Sequence, residues 1–373
     1  AYFGIRPFQI TDNKGEYSFG EYLECRNATC ILALVMGAVY LTYRHGTGEY
    51  SAGKCMILIL LVIYKVIDGY ADVYESEFQR QGSLYLTGKS NFFRTILSVS
   101  SFLIVLVSLE HLLLACLAAV AAQMLGVALF NLDVIRAIGT VDWNKREKQN
   151  LRVLGSTVFL FVATFLDFYV FSAARYAIDA RMNNAASGYF NLIFMPTSVI
   201  YMVANFVIRP FLTKLTDMWN GHEFDCFKSE LKRIAAVIGG LTVLAVGATA
   251  VLGKWVLSVM EMLLGGQYTG MLVPYYGAFV VIVLGGGFYA LANLMYYSLV
   301  IMRRQRAIFV VYLLAAVLAA ALSGTLVSGF GINGAAGCYL LLMVGLVLGF
   351  GLYTAGVYQK EKKEYACNGG RED

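Results

Sequence analysis

Long apolar stretches separated by short polar segments dominate the chain. Three of them contain no charged residue over 27, 41 and 53 consecutive positions, at residues 182–208, 262–302 and 307–359. A helix of about 18 or more apolar residues is long enough to cross the hydrocarbon core of a bilayer. The polar breaks divide the chain into ten predicted spans, at residues 20–43, 54–76, 92–109, 112–133, 153–174, 186–208, 232–253, 273–301, 307–327 and 334–357. The pattern predicts an all-α polytopic membrane protein.

Two connections between predicted spans are very short. Only Glu110 and His111 separate the third span from the fourth, and the glycine-rich segment 328–333 separates the ninth from the tenth. Glycine permits the backbone reversal that such a joint requires. We expect both joints to form tight antiparallel helical hairpins.

The positions of lysine and arginine test the order of the spans, because cytoplasmic loops retain positive charge. One set of alternate connections, near 77–94, 134–152, 209–233, 302–306 and after 358, holds 20 of these residues, whereas the opposite set holds five. Lys65 is the one basic residue in the interior of a predicted span, since the others that fall within the spans lie near their ends. The asymmetry supports ten spans with the C-terminus in the cytoplasm.

Composition excludes several classes of protein. Hydrophobic residues make up 59% of the chain and charged residues 14%, against about a quarter charged in soluble proteins, so a soluble enzyme is excluded. The seven cysteines form no Cys-x-x-Cys pair and there are only three histidines, so neither a metal site nor a disulfide framework is expected. The net charge of +5 lies in short loops, where lipid headgroups explain it better than nucleic acid. We expect no cofactor and no nucleic-acid partner.

The second predicted span carries a stripe of polar residues. Spacings of three and four place them on one helical face: Lys65, Asp68, Asp72, Glu75 and Gln79. A charge at the bilayer centre costs at least about 2.5–3.5 kcal/mol, so the stripe is expected to avoid lipid and to line a cavity. In the alternative interpretation Lys65 neutralises Asp68 or Asp72 and the pair is structural.

Three further residues are candidates for transport chemistry. Asp167 lies in the middle of the fifth predicted span, where a carboxylate either binds a coupling proton or sodium ion or makes an interhelical hydrogen bond. Arg26 lies at the start of the first span and Arg175 beyond the outer end of the fifth. Arginine presents a planar bidentate donor to phosphate oxygens. Anchoring to lipid headgroups is the alternative role for both arginines.

An internal repeat relates the two parts of the chain. Residues 3–8 (FGIRPF) resemble residues 206–211 (FVIRPF), and a Thr-Asp pair follows each copy. The second copy closes the sixth span, so a six-helix repeat unit places two further helices, about 50 residues, before residue 1. The repeat predicts two six-helix lobes of the same orientation. We expect four helices of the N-terminal lobe in 1–133, a basic linker in 134–152, the C-terminal lobe in 153–357 and a charged tail in 358–373.

Several short motifs resemble bacterial polysaccharide flippases of the multidrug/oligosaccharidyl-lipid/polysaccharide exporter superfamily. The segment 3–12, with Tyr17, Tyr22 and Arg26, is similar to the stretch after the second helix of those flippases. Other similar stretches are 188–196, Arg209-Pro210, Trp219, 265–268 and 331–336. The resemblance covers residues 1 to about 357. From this resemblance we expect that the given sequence lacks the first two helices, which help to line the family's cavity.

The resemblance implies a twelve-helix, two-lobe transporter of the bacterial cytoplasmic membrane. Such a protein flips undecaprenyl-diphosphate-linked oligosaccharide across the membrane by alternating access, for cell-surface polysaccharide synthesis. Its partners would be the lipid-linked oligosaccharide, membrane lipids and a coupling H+ or Na+. Arg26 is the favoured phosphate ligand, because the substrate is made on the cytoplasmic side.

Two other functions stay open. A cation-coupled drug antiporter of the same superfamily shares the lobes and the length, and the mixed charges of the polar stripe do not separate the two. A membrane-embedded glycosyl- or acyltransferase would need a catalytic dyad such as histidine with an acid. The three histidines, His45, His111 and His222, all fall in predicted loops. We therefore expect a transporter rather than an enzyme.

Overall fold

The computed structural model describes residues 4–12, 15–138, 152–265 and 270–369, and the regular elements within these residues are helices. The first six are α1 (Ile5–Ile10), α2 (Phe19–Gly46), α3 (Ala52–Arg80), α4 (Leu84–Leu109), α5 (Leu112–Val127) and α6 (Asp133–Ile138). A π-helical turn, Ala128–Leu132, joins α5 to α6. The others are α7 (Arg152–Arg181), α8 (Asn184–Phe194), α9 (Pro196–Ile208), α10 (Leu212–Asn220), α11 (Phe224–Leu264), α12 (Tyr276–Ile301) and α13 (Gln305–Gly369). Short 3₁₀ turns, Arg209–Phe211 and Val273–Tyr275, precede α10 and α12.

The helices separate into two compact units. Unit 1 comprises Ala1–Val158 and unit 2 comprises Phe159–Asp373. Helix α3 is central to unit 1, where it packs against α1, α2, α4 and α5. Helix α12 is central to unit 2, where it packs against α8, α9, α11 and α13. Lys65, Asp68 and Asp72 therefore lie on the central helix of unit 1, and Asp167 contacts the central helix of unit 2.

The helices confirm a polytopic membrane protein. Each of the ten predicted spans corresponds to a helix or a run of consecutive helices. Among the described residues eight helices are long and apolar enough to cross a membrane, with the two spans of α13 counted as one. Helix α3 is not among the eight because its second half carries the charged stripe.

Several helices are longer than the predicted spans. Helix α4 begins at Leu84 rather than at residue 92, and α11 extends from Phe224 to Leu264 rather than over 232–253. The loop predicted near 77–94 is reduced to residues 81–83, so Arg94 lies inside a helix. The predicted spans were too short because they were defined by apolar residues alone. A helix can continue through polar residues beyond the part that crosses the membrane. The same applies to residues 358–369 of the predicted tail, which continue α13.

The predicted linker, residues 134–152, lies mostly outside the described residues. Only its first five residues, at the end of α6, and its last residue, at the start of α7, belong to described elements.

Both predicted tight joints are present. Glu110 ends α4 in a left-handed conformation with φ 50°, and α5 begins two residues later. Gly331 interrupts α13 with φ 57° and ψ −133°, a combination open only to glycine. Gly334 follows in very close contact, since a Cβ atom there would lie 2.0 Å from the carbonyl oxygen of Leu326. The second hairpin therefore depends on two glycines for different reasons, one conformational and one steric.

Replacement of Gly334 tests this hairpin. Gly334→Ala should lower the midpoint of thermal unfolding in detergent, because the new methyl group meets backbone that cannot rotate away, and overpacking costs about 1–3 kcal/mol or more. Gly337→Ala is the matched control, since no atom lies within 4 Å of its Cβ position. Equal unfolding midpoints for the two variants would contradict the steric assignment.

Candidate functional site

The polar stripe of α3 is turned into unit 1. Asp72, Glu75 and Gln79 are 4%, 2% and 1% exposed. Lys65, about two turns before Asp72, leaves the core, with a side chain that is 71% exposed. The stripe therefore changes from an exposed end to a buried end along a single helical face.

Arginines from three other helices meet this stripe. Arg26 of α2 places Nη2 2.8 Å from Oδ2 of Asp72, and Arg6 of α1 pairs with the other oxygen of the same carboxylate. Arg94 of α4 places Nη1 3.0 Å from Asp68 and Nη2 2.8 Å from Glu75. We call this set the ion-pair network: Arg6, Arg26, Arg94, Asp68, Asp72 and Glu75. Its three guanidinium groups match its three carboxylates.

A glycine on α5 makes room for one member of the network. A Cβ atom at Gly126 would lie 2.8 Å from Cγ of Arg94 and 3.3 Å from its Cα. The close approach of α5 to α4 thereby encloses Arg94, which is 1% exposed. Steric contact as well as charge fixes the guanidinium against α3.

The motif that resembles the flippases has a structural role in unit 1. Asp12 accepts hydrogen bonds from the Tyr22 hydroxyl (2.9 Å) and from the backbone N–H groups of Glu16 and Tyr17 (both 3.1 Å). Arg80 at the end of α3 lies 3.6 Å from the same carboxylate. These contacts hold the loop between α1 and α2 against α3.

The ion-pair network changes the roles that were inferred for the predicted residues. Arg26 is fully buried and its charge is matched by Asp72, so the favoured phosphate candidate is already engaged inside unit 1. Lys65 lies 3.5 Å from Asp68, as the structural alternative predicted, but the arginines supply most of the neutralisation. Arg6, which lies in the repeated FGIRPF segment, is also a member of the network.

Asp167 of α7 lies in a polar site within unit 2. The hydroxyl of Tyr289 on α12 donates to its two carboxylate oxygens at 3.0 and 3.2 Å, and the hydroxyl of Tyr312 on α13 lies within electrostatic range. Among the described residues no lysine or arginine pairs with Asp167, which is half-buried. A carboxylate at membrane depth without a basic partner is stabilised by uptake of a proton or a metal cation.

Aromatic and amide side chains extend this site. The ring of Tyr201 lies 5.2 Å from that of Tyr289. Asn205 accepts weak hydrogen bonds from Asn293 (3.4 Å) and Tyr297 (3.5 Å). The surroundings of Asp167 therefore offer hydroxyl and amide oxygens together with aromatic faces.

Arg175 lies two turns beyond Asp167 on α7. Its guanidinium carbon lies 4.2 Å from the ring centre of Phe194 and 5.8 Å from that of Phe171. Within the part of the chain that the structure describes, no carboxylate lies within 4.0 Å of this half-buried arginine. Asp179, one turn later on α7, lies within electrostatic range of Arg175, but its carboxylate accepts a hydrogen bond from the Ser187 hydroxyl. The hydroxyl of the buried Tyr339, whose ring touches Phe194, also has no hydrogen-bond partner. This pair of unmatched donors is suited to an anion.

One face of α7 carries both candidates of unit 2. Asp167, Phe171 and Arg175 are spaced four residues apart and so lie on one side of the helix. Phe171 separates them and touches Tyr289 near Asp167 and Tyr339 near Arg175. A carboxylate site and a guanidinium site thus face the same side without neutralising each other.

The two tyrosines and the third arginine of these sites were missed from the sequence. Tyr289 and Tyr339 lie in apolar spans that showed no charge. Arg94 was assigned to a loop because it stands beside the charged segment that precedes it. The only signal for Tyr289 was the density of aromatic residues in the eighth span, and the tenth span gave no such signal for Tyr339.

Comparison with solved structures identifies the fold. The Vibrio cholerae MATE transporter VcmN in its bent form is 15% identical, with a TM-score of 0.77 over 97% of this chain and 84% of that one. An outward-facing multidrug resistance MATE family transporter of the MOP superfamily is 10% identical, with a TM-score of 0.72 over 97% and 86% of the two chains. An inward-facing conformation of a multidrug resistance MATE family transporter is 12% identical, with a TM-score of 0.57 over 97% of this chain and 89% of that one.

No protein-family model matches the chain, and no match was found among curated proteins. At identities of 10–15% the structural likeness shows the fold alone. The chain therefore has the two-lobe fold of MATE transporters, and the predicted fold class is confirmed. The likeness does not separate polysaccharide flippases from multidrug transporters.

The structure predicts that Arg26 is needed for folding. Arg26→Ala should destabilise the protein by about 3–5 kcal/mol, because it leaves part of the Asp72 charge buried and uncompensated. Lys65→Ala, made on the exposed end of the same stripe, should change stability by no more than about 1 kcal/mol. The measurements are the midpoint of thermal unfolding in detergent and the amount of folded protein in membranes. If Arg26→Ala has wild-type stability but has lost transport, Arg26 would instead be a substrate-binding residue.

Proposed function

We propose that the chain is a membrane transporter that flips an undecaprenyl-diphosphate-linked oligosaccharide across the bacterial cytoplasmic membrane. The MATE transporter fold and the row of apolar helices support a transporter. The resemblance of several motifs to polysaccharide flippases supports this substrate class. Solved structures of this fold include outward-facing and inward-facing conformations, which supports alternating access as the mechanism.

The observation that carries the proposal is the unmatched arginine of unit 2. Arg175 is half-buried against Phe194 and has no carboxylate partner among the described residues. A guanidinium in this setting gains most from a group that accepts two parallel hydrogen bonds, such as a phosphate. The unpartnered hydroxyl of Tyr339 supplies a further donor. We therefore assign the diphosphate to Arg175 in preference to Arg26.

Asp167 is the proposed coupling site. Its carboxylate lacks a basic partner among the described residues and accepts two hydrogen bonds from Tyr289. Binding of H+ or Na+ at Asp167 would change the charge on the face of α7 that also carries Arg175. Transport could then be coupled to an ion gradient through one helix.

A second function, cation-coupled drug antiport, is favoured by the surroundings of the same residue. An acidic group with Tyr201, Tyr289 and Tyr312 nearby also suits an organic cation, because aromatic faces attract positive charge. Two of the similar structures are described as multidrug resistance transporters. The two functions differ in their use of Arg175, since a cationic drug has no need of an arginine.

Substitution of Arg175 separates the two functions. Arg175→Gln should reduce surface polysaccharide at least tenfold in a complemented flippase-deficient strain, because the phosphate loses its bidentate donor. Arg175→Lys should restore only part of the export, since lysine keeps the charge but not the fork of donors. Lys254→Gln, which removes an exposed charge from another helix of unit 2, is the control and should leave export unchanged. Membrane levels of each variant are measured alongside.

Two results would contradict the flippase proposal. Normal polysaccharide with Arg175→Gln at normal protein level would remove the phosphate assignment. Loss of resistance to cationic drugs with Asp167→Asn, together with normal polysaccharide, would establish the antiporter instead.

Substitution of Asp167 tests ion coupling. Asp167→Asn keeps the shape and can still accept a hydrogen bond from Tyr289, but it removes the charge that would bind a proton or cation. We expect transport into proteoliposomes to lose its response to an imposed H+ or Na+ gradient, while binding of the phosphate-bearing substrate persists. Tyr289→Phe, which removes the hydroxyl but not the carboxylate, should retain a gradient response of reduced size. A full gradient response in Asp167→Asn would show that coupling occurs elsewhere.

A further inference from the structure

A groove lies between the ends of three helices of unit 2. It has a volume of about 260 Å³ and an almost entirely apolar lining, with Phe227 and Leu231 from α11, Met295 from α12, and Gly351 and Ala355 from α13. Pockets for drug-sized ligands begin at about 300 Å³, so this groove suits a segment of a chain rather than a whole drug molecule.

Two lysines border the groove. Lys228 and Lys232 stand four residues apart on α11, both side chains are exposed, and both belong to the lining. Within the described residues neither has a carboxylate within 4.0 Å. The nearby Asp225 is engaged by Lys362 at 2.6 Å. The rim of the groove is therefore positively charged.

A third feature is an unsatisfied hydroxyl. Thr354 lines the groove, is 5% exposed, and its hydroxyl has no hydrogen-bond partner. A hydroxyl in a helix commonly bonds to the carbonyl one turn earlier, and a buried one without a partner costs about 1–3 kcal/mol. The groove thus contains an unfilled polar contact beneath its basic rim.

The groove lies at the depth of the lipid headgroups. Twenty uncharged residues, 234–253, follow Arg233 on α11, a length that spans about 30 Å of hydrocarbon. Lys228 and Lys232 precede this stretch by six and two residues. This spacing puts the two lysines beside the predicted cytoplasmic end of the apolar stretch, within reach of lipid phosphates.

We propose that this groove binds an anionic membrane phospholipid, with its phosphate at Lys228 and Lys232 and the start of an acyl chain in the groove. Basic pockets between membrane helices recognise anionic headgroups, and each lysine near the surface contributes about 1 kcal/mol of attraction. The apolar lining selects a lipid over a free anion. The site does not depend on what the chain transports.

Thermal unfolding of the full purified chain tests the site. The protein is measured in nanodiscs of phosphatidylcholine alone and with added phosphatidylglycerol. We expect phosphatidylglycerol to raise the unfolding midpoint of the wild type, and Lys228→Gln/Lys232→Gln to lose at least half of that rise. Lys363→Gln, an exposed lysine outside the groove lining, should keep the full rise.

A second variant separates groove binding from simple attraction to a charged surface. Ala355→Trp fills the groove from an exposed position and leaves both lysines intact, so it should also lose the rise. A full rise in either the double lysine variant or Ala355→Trp would overturn the proposal. An equal rise with inorganic phosphate in place of the lipid would also overturn it, because a free anion would then be sufficient.

Discussion

A charge inside a low-dielectric interior must be matched by a nearby opposite charge, and unit 1 is organised around this requirement. Helix α3 could not hold Asp68, Asp72 and Glu75 in such an interior alone. Arginines from α1, α2 and α4 supply the matching charges, and those of Arg26 and Arg94 lie 2.8–3.0 Å from their carboxylates. The ion pairs bring α1, α2 and α4 into contact with α3. The ion-pair network therefore compensates the buried charges of α3 and also connects the helices of unit 1.

Among the described residues of unit 2, two charged side chains at membrane depth lack a salt-bridge partner. Asp167 and Arg175 have opposite charges and lie on the same face of α7, yet eight residues separate them, about 12 Å along the helix. They are too far apart to form a hydrogen-bonded pair, and the ring of Phe171 lies between them. Neither has a salt-bridge partner among the described residues. Similar residue types thus form a salt-bridge network in unit 1 and stay without salt bridges at these two positions of unit 2.

The sequence predicted the helices well because membrane spans have a strong one-dimensional signal. Both tight joints, at Glu110 and at Gly331, were visible as interruptions of that signal. The stripe on α3 was also correctly placed on a single face. Its partners could not be predicted, because Arg6, Arg26 and Arg94 come from three separate helices and only the packing brings them together.

The candidate site was harder to predict than the fold, for a related reason. Whether an arginine is available for a ligand depends on whether a carboxylate lies beside it, and spacing along the chain does not show this. The sequence analysis favoured Arg26 over Arg175 as the phosphate ligand, but packing buries Arg26 against Asp72 and leaves Arg175 without a salt-bridge partner among the described residues. Tyr289 was hidden for the same reason, since its role comes only from contact with Asp167.

The end of α13 is fastened to the start of α11 and to the loop before it by several contacts. Lys362 and Tyr358 both bond to Asp225, and the ring of Tyr365 stacks on His222 at 4.6 Å. These contacts hold two walls of the lysine-bordered groove in place without any occupant. A lipid chain that enters meets a preorganised surface. Its binding therefore does not have to offset the free-energy cost of ordering the helices. Because of the same contacts, the last turns of α13 and the first turns of α11 are expected to move together.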